Sequence, residues 1–91
     1  SDTVALGAFE AAHERGYRIP DDLSIIGFDD IIFAPYTRPP LTTIRVPAYA
    51  LGHSAGELLL KIMRGEGLPG TRIVLPTELV IRGSTVRWQA V

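Results

Sequence analysis

The sequence predicts an α/β fold built on parallel sheets flanked by helices, and three features predict it. A segment of helical periodicity opens the chain. After a short connector comes Leu23-Ser24-Ile25-Ile26-Gly27-Phe28, a mainly apolar run with two isoleucines. A strand in a parallel sheet is covered by helices on both faces and reads as such a run. The predicted order is then helix, strand, strand, helix, strand, strand. A doubly wound sheet needs more strands than these to cover its helices, so the chain reads as part of an α/β domain.

The first helix has Ser1 as its N-cap and Asp2 at the positive end of its dipole. Val4, Ala5, Ala8, Phe9 and Ala12 recur at helical spacing and form its apolar face; Gly16 is a left-handed stop. Leu6 falls off that face, on the side of Glu10 and His13. Residues 17–22 connect to the apolar run through Pro20 and two aspartates. Residues 29–40 form a loop, polar at its start, aromatic at Phe33 and Tyr36, and closed by Pro39-Pro40. Residues 41–46 carry β-branched side chains at Thr42, Thr43, Ile44 and Val46 and predict a short strand. Pro47 suits the first turn of a second helix. In that helix Ala48, Leu51, Ala55, Leu58, Leu59 and Ile62 make a wide apolar stripe, with Ser54, Glu57, Lys61 and Arg64 opposite. Gly65 ends it, and residues 66–70 are a Gly/Pro loop. Residues 72–75 and 78–82 predict two short strands split by Pro76, which has no N–H for a ladder.

Composition excludes several function classes. The chain has 91 residues, 46% of them hydrophobic and 21% charged, which is globular and not disordered. Its net charge is −1, with nine Lys and Arg scattered along it. Nucleic-acid affinity rests on clustered basic residues that neutralise phosphates, so this segment is not predicted to grip DNA or an anionic membrane. No cysteine is present, hence no disulfide framework and no thiolate chemistry. No apolar run approaches the roughly 20 residues that span a bilayer. Ser1-Asp2-Thr3 is neither a signal nor a transit peptide and lacks an initiator Met, so the chain reads as processed or truncated. Open strand edges and a bare helix stripe predict that, on its own, it self-associates or unfolds with poor cooperativity.

Few residues stand out for chemistry. Asp29-Asp30 directly follows the apolar run, and ligands of open α/β sheets sit beyond the carboxyl ends of strands. Asp29 therefore has two readings of equal weight, a ligand carboxylate and a helix-cap or turn residue; Asp30 reads as a cap. A metal site needs further converging ligands, and none is nominated. His13 and His53 lie far apart on predicted helices. Ser24, Ser54 and Ser84 lack a nucleophile elbow, and Gly65-Glu66-Gly67 follows a helix where a phosphate loop would open one. No catalytic constellation is present. Leu6, Phe33 and Tyr36 suggest apolar surface, and a contiguous patch of that kind marks an interface.

Five segments, in order, then resemble one family. They are Ser1-Asp2-x-x-Ala5-x-Gly7; Ile19-Pro20-x-Asp22-Leu23-Ser24-Ile25-Ile26-Gly27-Phe28-Asp29-Asp30; Pro39-Pro40-Leu41-Thr42-Thr43-Ile44; Leu51-Gly52-x-x-Ala55; and Leu75-Pro76-x-Glu78-Leu79-x-x-Arg82-x-Ser84-Thr85. Together they resemble the C-terminal part of the effector-binding domain of lactose/galactose-repressor (LacI/GalR) family transcriptional regulators. The resemblance implies a fragment of a two-lobed, type I periplasmic-binding-protein-like domain. Residues 1–44 would belong to its C-terminal lobe, 47–75 to its N-terminal lobe, and 77–85 would return to the C-terminal lobe. It implies a bacterial, cytoplasmic homodimer that is not an enzyme and needs no cofactor. DNA would be bound only through an N-terminal helix-turn-helix not in this chain. A sugar or other small polar metabolite held between the lobes would control operator binding by shifting the lobe arrangement. Asp29 matches an effector-contacting aspartate. Ser1 stands where relatives usually place a longer Asn contact, and Ala48 where some place a stacking aromatic. Leu6 and Tyr36 match the dimer surface. A periplasmic or transporter-linked sugar-binding protein is the alternative, and a metal-dependent phosphotransferase using Asp29-Asp30 a distant third.

Overall fold

Helix α1 (Asp2–Glu14) begins where the sequence signals it: the Ser1 hydroxyl accepts the Val4 N–H at 3.3 Å. It ends at Gly16, whose φ of 77° lets the chain turn left-handed while Tyr17 N–H returns to Ala12 O at 2.9 Å. The buried line is Asp2, Ala5, Phe9 and Ala12, steps of three, four and three residues that keep one face inward. Val4 and Ala8, read as members of the apolar face, are exposed on its flank. Leu6 occupies the other flank, where it is half-buried and leans on the core. The inward face thus carries a carboxylate at its first position.

In the computed structural model the described residues are 1–68 and 70–89. Pro69, in the predicted loop of residues 66–70, lies outside them. Two compact units are present: Ser1–Val46 with the chain from Glu78 onward, and Pro47–Thr77.

The core of the first unit is Ala5, Phe9, Ala12, Ile19, Ile25, Ala34 and Leu41, with Leu6 and Ile31 packed against it. Burying one such aromatic or branched side chain contributes roughly 1.5–3 kcal/mol. Residues 23–28, expected to be a strand, form none among the described residues and carry only isolated bridge pairing. The N–H groups of Ile25, Gly27 and Asp29 donate to Ser84 O, Thr42 O and Ile44 O, each at 2.9 Å. Two parallel bridges, Ile26 with Thr42 and Asp29 with Arg45, accompany them. Burial corrects one expectation. Ile25 alone of this run is buried, while Ile26 is 55% and Phe28 46% exposed. Both faces would be covered only by a further layer, which the described residues do not contain.

Strand β1 (Thr43–Arg45) pairs antiparallel with β2 (Glu78–Val80), Ile44 opposite Leu79. This antiparallel ladder joins the parallel bridges and was not anticipated from the sequence. The run into β1 is the most buried stretch of the chain, with Leu41 and Thr43 fully buried and Thr42 nearly so. Ser84 fastens it. Its hydroxyl donates to Ile25 O at 2.6 Å and accepts Thr42 N–H at 2.8 Å. A short 3-10 turn, Ala34–Tyr36, closes the loop before the prolines.

The second unit is helix α2 (Ala48–Met63) and the chain that follows it. Its end is as read, with Gly65 at φ 74°. Its stripe lies bare, as expected: no residue of α2 is buried. Leu51, Ser54, Ala55 and Leu58 line a shallow groove with Ile73 and Leu75. Ser54 therefore belongs to the apolar side, three positions after Leu51, and not to the opposite face. Residues 72–75 form no strand, because without a ladder partner their β-branched side chains cannot impose one.

Candidate functional site

The two adjacent aspartates, Asp29 and Asp30, directly follow the run of residues 23–28. The Asp2 N–H donates to Phe28 O at 3.0 Å, so the start of α1 and the end of this segment are tied by one backbone bond. That bond makes Ser1 and Asp29 the chain neighbours of its two ends.

Asp29 has φ 116° and Asp30 φ 56°. Asp tolerates the second value; the first lies well outside the left-handed basin that non-glycine residues visit. Such a backbone persists only where its surroundings over-determine it, and here they do. Three successive N–H groups are each taken: Asp29 by Ile44 O at 2.9 Å, Asp30 by Thr43 Oγ1 at 3.3 Å, and Ile31 by Asp2 Oδ2 at 2.8 Å. Thr43 Oγ1 in turn donates to Asp2 Oδ1 at 2.6 Å. Asp2 is 1% exposed, and its two carboxylate oxygens hold the loop and β1 together.

Asp30 is the charged centre. One carboxylate oxygen accepts Arg45 Nε and the other Arg82 Nη2, both at 2.8 Å. Arg82 is anchored further by Nη1 to Leu41 O at 2.9 Å, and Arg45 reaches Glu78 at 3.6 Å. The cap reading of Asp30 is therefore corrected: no helix begins at this turn, and the 3-10 turn has no side-chain cap at Phe33. Asp29 caps nothing either. Its side chain is exposed and, among the described residues, makes no hydrogen bond. The turn thus presents one free carboxylate beside one fully engaged carboxylate.

The Arg45 hydrogen bond holds the Asp30 carboxyl below its ordinary range, outweighing burial, and Arg82 adds to the effect. A carboxyl whose folded pKa lies below its unfolded one stabilises the protein above the unfolded value. That stabilisation is lost as pH falls through the folded one. In the intact protein, Asp30→Asn should therefore be less stable than wild type at neutral pH, with the gap closing below about pH 4. Urea melts across that range measure it; a pH-independent gap would show that the ion pairs are not its source.

The remaining expectations place as follows. Ser1 Oγ is engaged as the α1 cap and lies next to the Asp2–Phe28 bond. Tyr36 is 79% exposed on the 3-10 turn. Leu6 is half-buried on α1 and packs against the core. Ala48 opens α2 in the other unit. His13 stacks on Phe9, and His53 lies against Tyr49 and Glu57. Among the described residues no group of three acidic or His side chains could hold a metal, and no helix is long and apolar enough to cross a membrane. Sequence reasoning missed Asp2, Thr43, Arg45 and Arg82 as parts of the turn. The available signal was Asp2 itself, a carboxylate three residues before Ala5 on the inward line.

The periplasmic binding protein-like domain family model matches residues 1–85. The repressor CytR of Escherichia coli K12 is 47% identical over 85 residues, which is 93% of this chain and 25% of that protein. The lac repressor dimer bound to operator and the anti-inducer ONPF superposes with a TM-score of 0.86 at 37% identity, covering 96% of this chain and 30% of that one. The regulator CelR in complex with cellobiose gives 0.87 at 33% identity, covering 92% and 26%. The chain thus spans about a quarter of the length of the curated relatives it matches. From the adjacent aspartates to the Thr42–Ser84 fastening, this is a portion of a larger domain, and the chain belongs to the periplasmic-binding-protein-like family in the form carried by lactose/galactose-repressor-type regulators.

Proposed function

We propose that this chain is the effector-sensing and dimerisation part of a bacterial transcriptional regulator, with Asp29 and Ser1 facing a sugar or other small polar metabolite. One observation carries the reading: Asp29 is held at φ 116° with its carboxylate exposed and unengaged. Strain of that kind collects at ligand sites, and an ionised carboxylate is an acceptor suited to hydroxyl donors. The CelR complex with cellobiose supports a saccharide. The operator-bound lac repressor and CytR support a regulator over a periplasmic carrier or an enzyme. We assign the first unit to the C-terminal lobe and the second to the N-terminal lobe of the intact domain, a reading that the chain's division at 46/47 and 77/78 supports. DNA binding belongs to a head outside this chain, and the regulator works in the cytoplasm.

The test uses the intact protein. Operator duplexes are selected from random sequence, and their affinity is measured with and without candidate sugars. An at least tenfold change in operator affinity is expected. Sugar binding without any selected DNA would favour the carrier.

Leu6 and Tyr36 are assigned to the dimer surface. Leu6 leans on the core, so a Leu6→Glu variant would mix folding with association. Tyr36→Glu is the cleaner probe, since Tyr36 is exposed. It should weaken the dimer at least tenfold, about 1.4 kcal/mol, by sedimentation. An unchanged dimer removes Tyr36 from the interface.

A further inference from the structure

The geometry points to Asp30 as a positioning residue that sets effector affinity without touching effector, by locking the strained backbone through which Asp29 presents its carboxylate. The inference rests on the reading of Asp29 as the effector contact, and it gives Asp30 a role other than the cap that the sequence suggested.

The two aspartates share a peptide bond and both have positive φ. Neither conformation is held by Asp29's own side chain, which engages nothing among the described residues. The lock comes from the neighbours. On one side Asp2 fixes Ile31 N–H and, through Thr43, Asp30 N–H. On the other, two guanidinium groups grip the Asp30 carboxylate at 2.8 Å each. Charge-assisted bonds are the strong ones, and the Asp30 and Arg82 side chains are only 11% and 14% exposed, which limits screening. The arginines also come from separate places, Arg45 at the end of β1 and Arg82 just beyond β2. The Asp30 grip therefore closes the turn against both strands of the ladder. Without it, the strained φ at Asp29 can relax, and a free carboxylate that samples several directions loses the preorganisation on which affinity depends.

The experiment compares wild type, Asp30→Asn, Arg45→Gln and Arg45→Lys in the intact protein. Arg45 is half-exposed, and among the described residues its side chain pairs only with Asp30 and Glu78, so its variants should fold even if Asp30→Asn does not. One arm follows hydrogen–deuterium exchange of the peptide spanning residues 28–32. The other measures calorimetric affinity for D-ribose, D-glucose, lactose and cellobiose. The expected result is at least tenfold faster exchange and at least tenfold weaker binding of whichever sugar wild type takes, for Asp30→Asn and Arg45→Gln, with Arg45→Lys recovering most of both. Unchanged exchange overturns the lock. Faster exchange with unchanged affinity overturns its role in recognition. If wild type binds none of the sugars, the saccharide reading of Asp29 falls, and the role in recognition with it, while the exchange arm still decides the lock.

Discussion

Gly27→Ala is expected to destabilise the intact protein by about 3 kcal/mol or more. The cause is a close approach, since Gly27 is not among the glycines with positive φ. A Cβ there would run into the Asp2 carboxylate and stand 2.9 Å from Leu41 Cδ2. Neither neighbour can give way: Leu41 is fully buried and Asp2 is 1% exposed. Moving Asp2 would release Thr43 Oγ1 and Ile31 N–H together. Overpacking costs roughly 1–3 kcal/mol, and losing hydrogen bonds to a charged group roughly 1.5–3 each. Gly7→Ala is the control. Nothing lies within 4 Å of a Cβ at Gly7, and replacing a mid-helix glycine by alanine should stabilise α1 by roughly 0.5–1 kcal/mol. Urea unfolding of both variants decides. A loss below about 1 kcal/mol for Gly27→Ala would mean that the Asp2 network is far softer than its geometry.

Asp29→Gly should separate binding from folding more sharply than any other substitution. Glycine adopts φ 116° without the steric cost that Asp29 carries there. Stability should hold or rise by up to about 1 kcal/mol. On the proposed role of Asp29, effector binding should fall, because donors that met the carboxylate are left unpaired, a loss of roughly 1–3 kcal/mol or several-fold to a hundredfold in affinity. Asp29→Ala should lose binding similarly while gaining no stability, since its Cβ keeps the strain. Calorimetric titration with chemical unfolding on the same samples reads both quantities. A variant that binds like wild type, or that simply unfolds, would make Asp29 a structural turn residue. A rise in stability paired with a loss of affinity is the signature of strain maintained for recognition.

Much of the local structure was legible before any coordinates. Helix α1 has its cap at Ser1 and its stop at Gly16; α2 ends at Gly65; β1 falls on the β-branched run. These are short-range facts: a hydroxyl reaches an N–H three residues away, and glycine alone turns left-handed cheaply. A turn at Asp29-Asp30 directly after the apolar run was legible too.

Which aspartate is free and which is bound was not legible. Asp29 and Asp30 are identical side chains on adjacent residues. The difference between them is set by Arg45 and Arg82, 15 and 52 residues further along the chain than Asp30. The same holds for Asp2, read as a dipole partner and found as the buried tie between α1, the loop and β1. Burial was misjudged for the same reason. Periodicity reports which residues could share a covered face, as in residues 23–28, but covering that face takes a second layer that local sequence does not supply. Sequence thus settled where the two helices start and stop, through interactions spanning one helical turn. Tertiary structure alone decided which polar groups meet, because hydrogen bonds and ion pairs depend on ångström-scale approach between segments far apart in the chain.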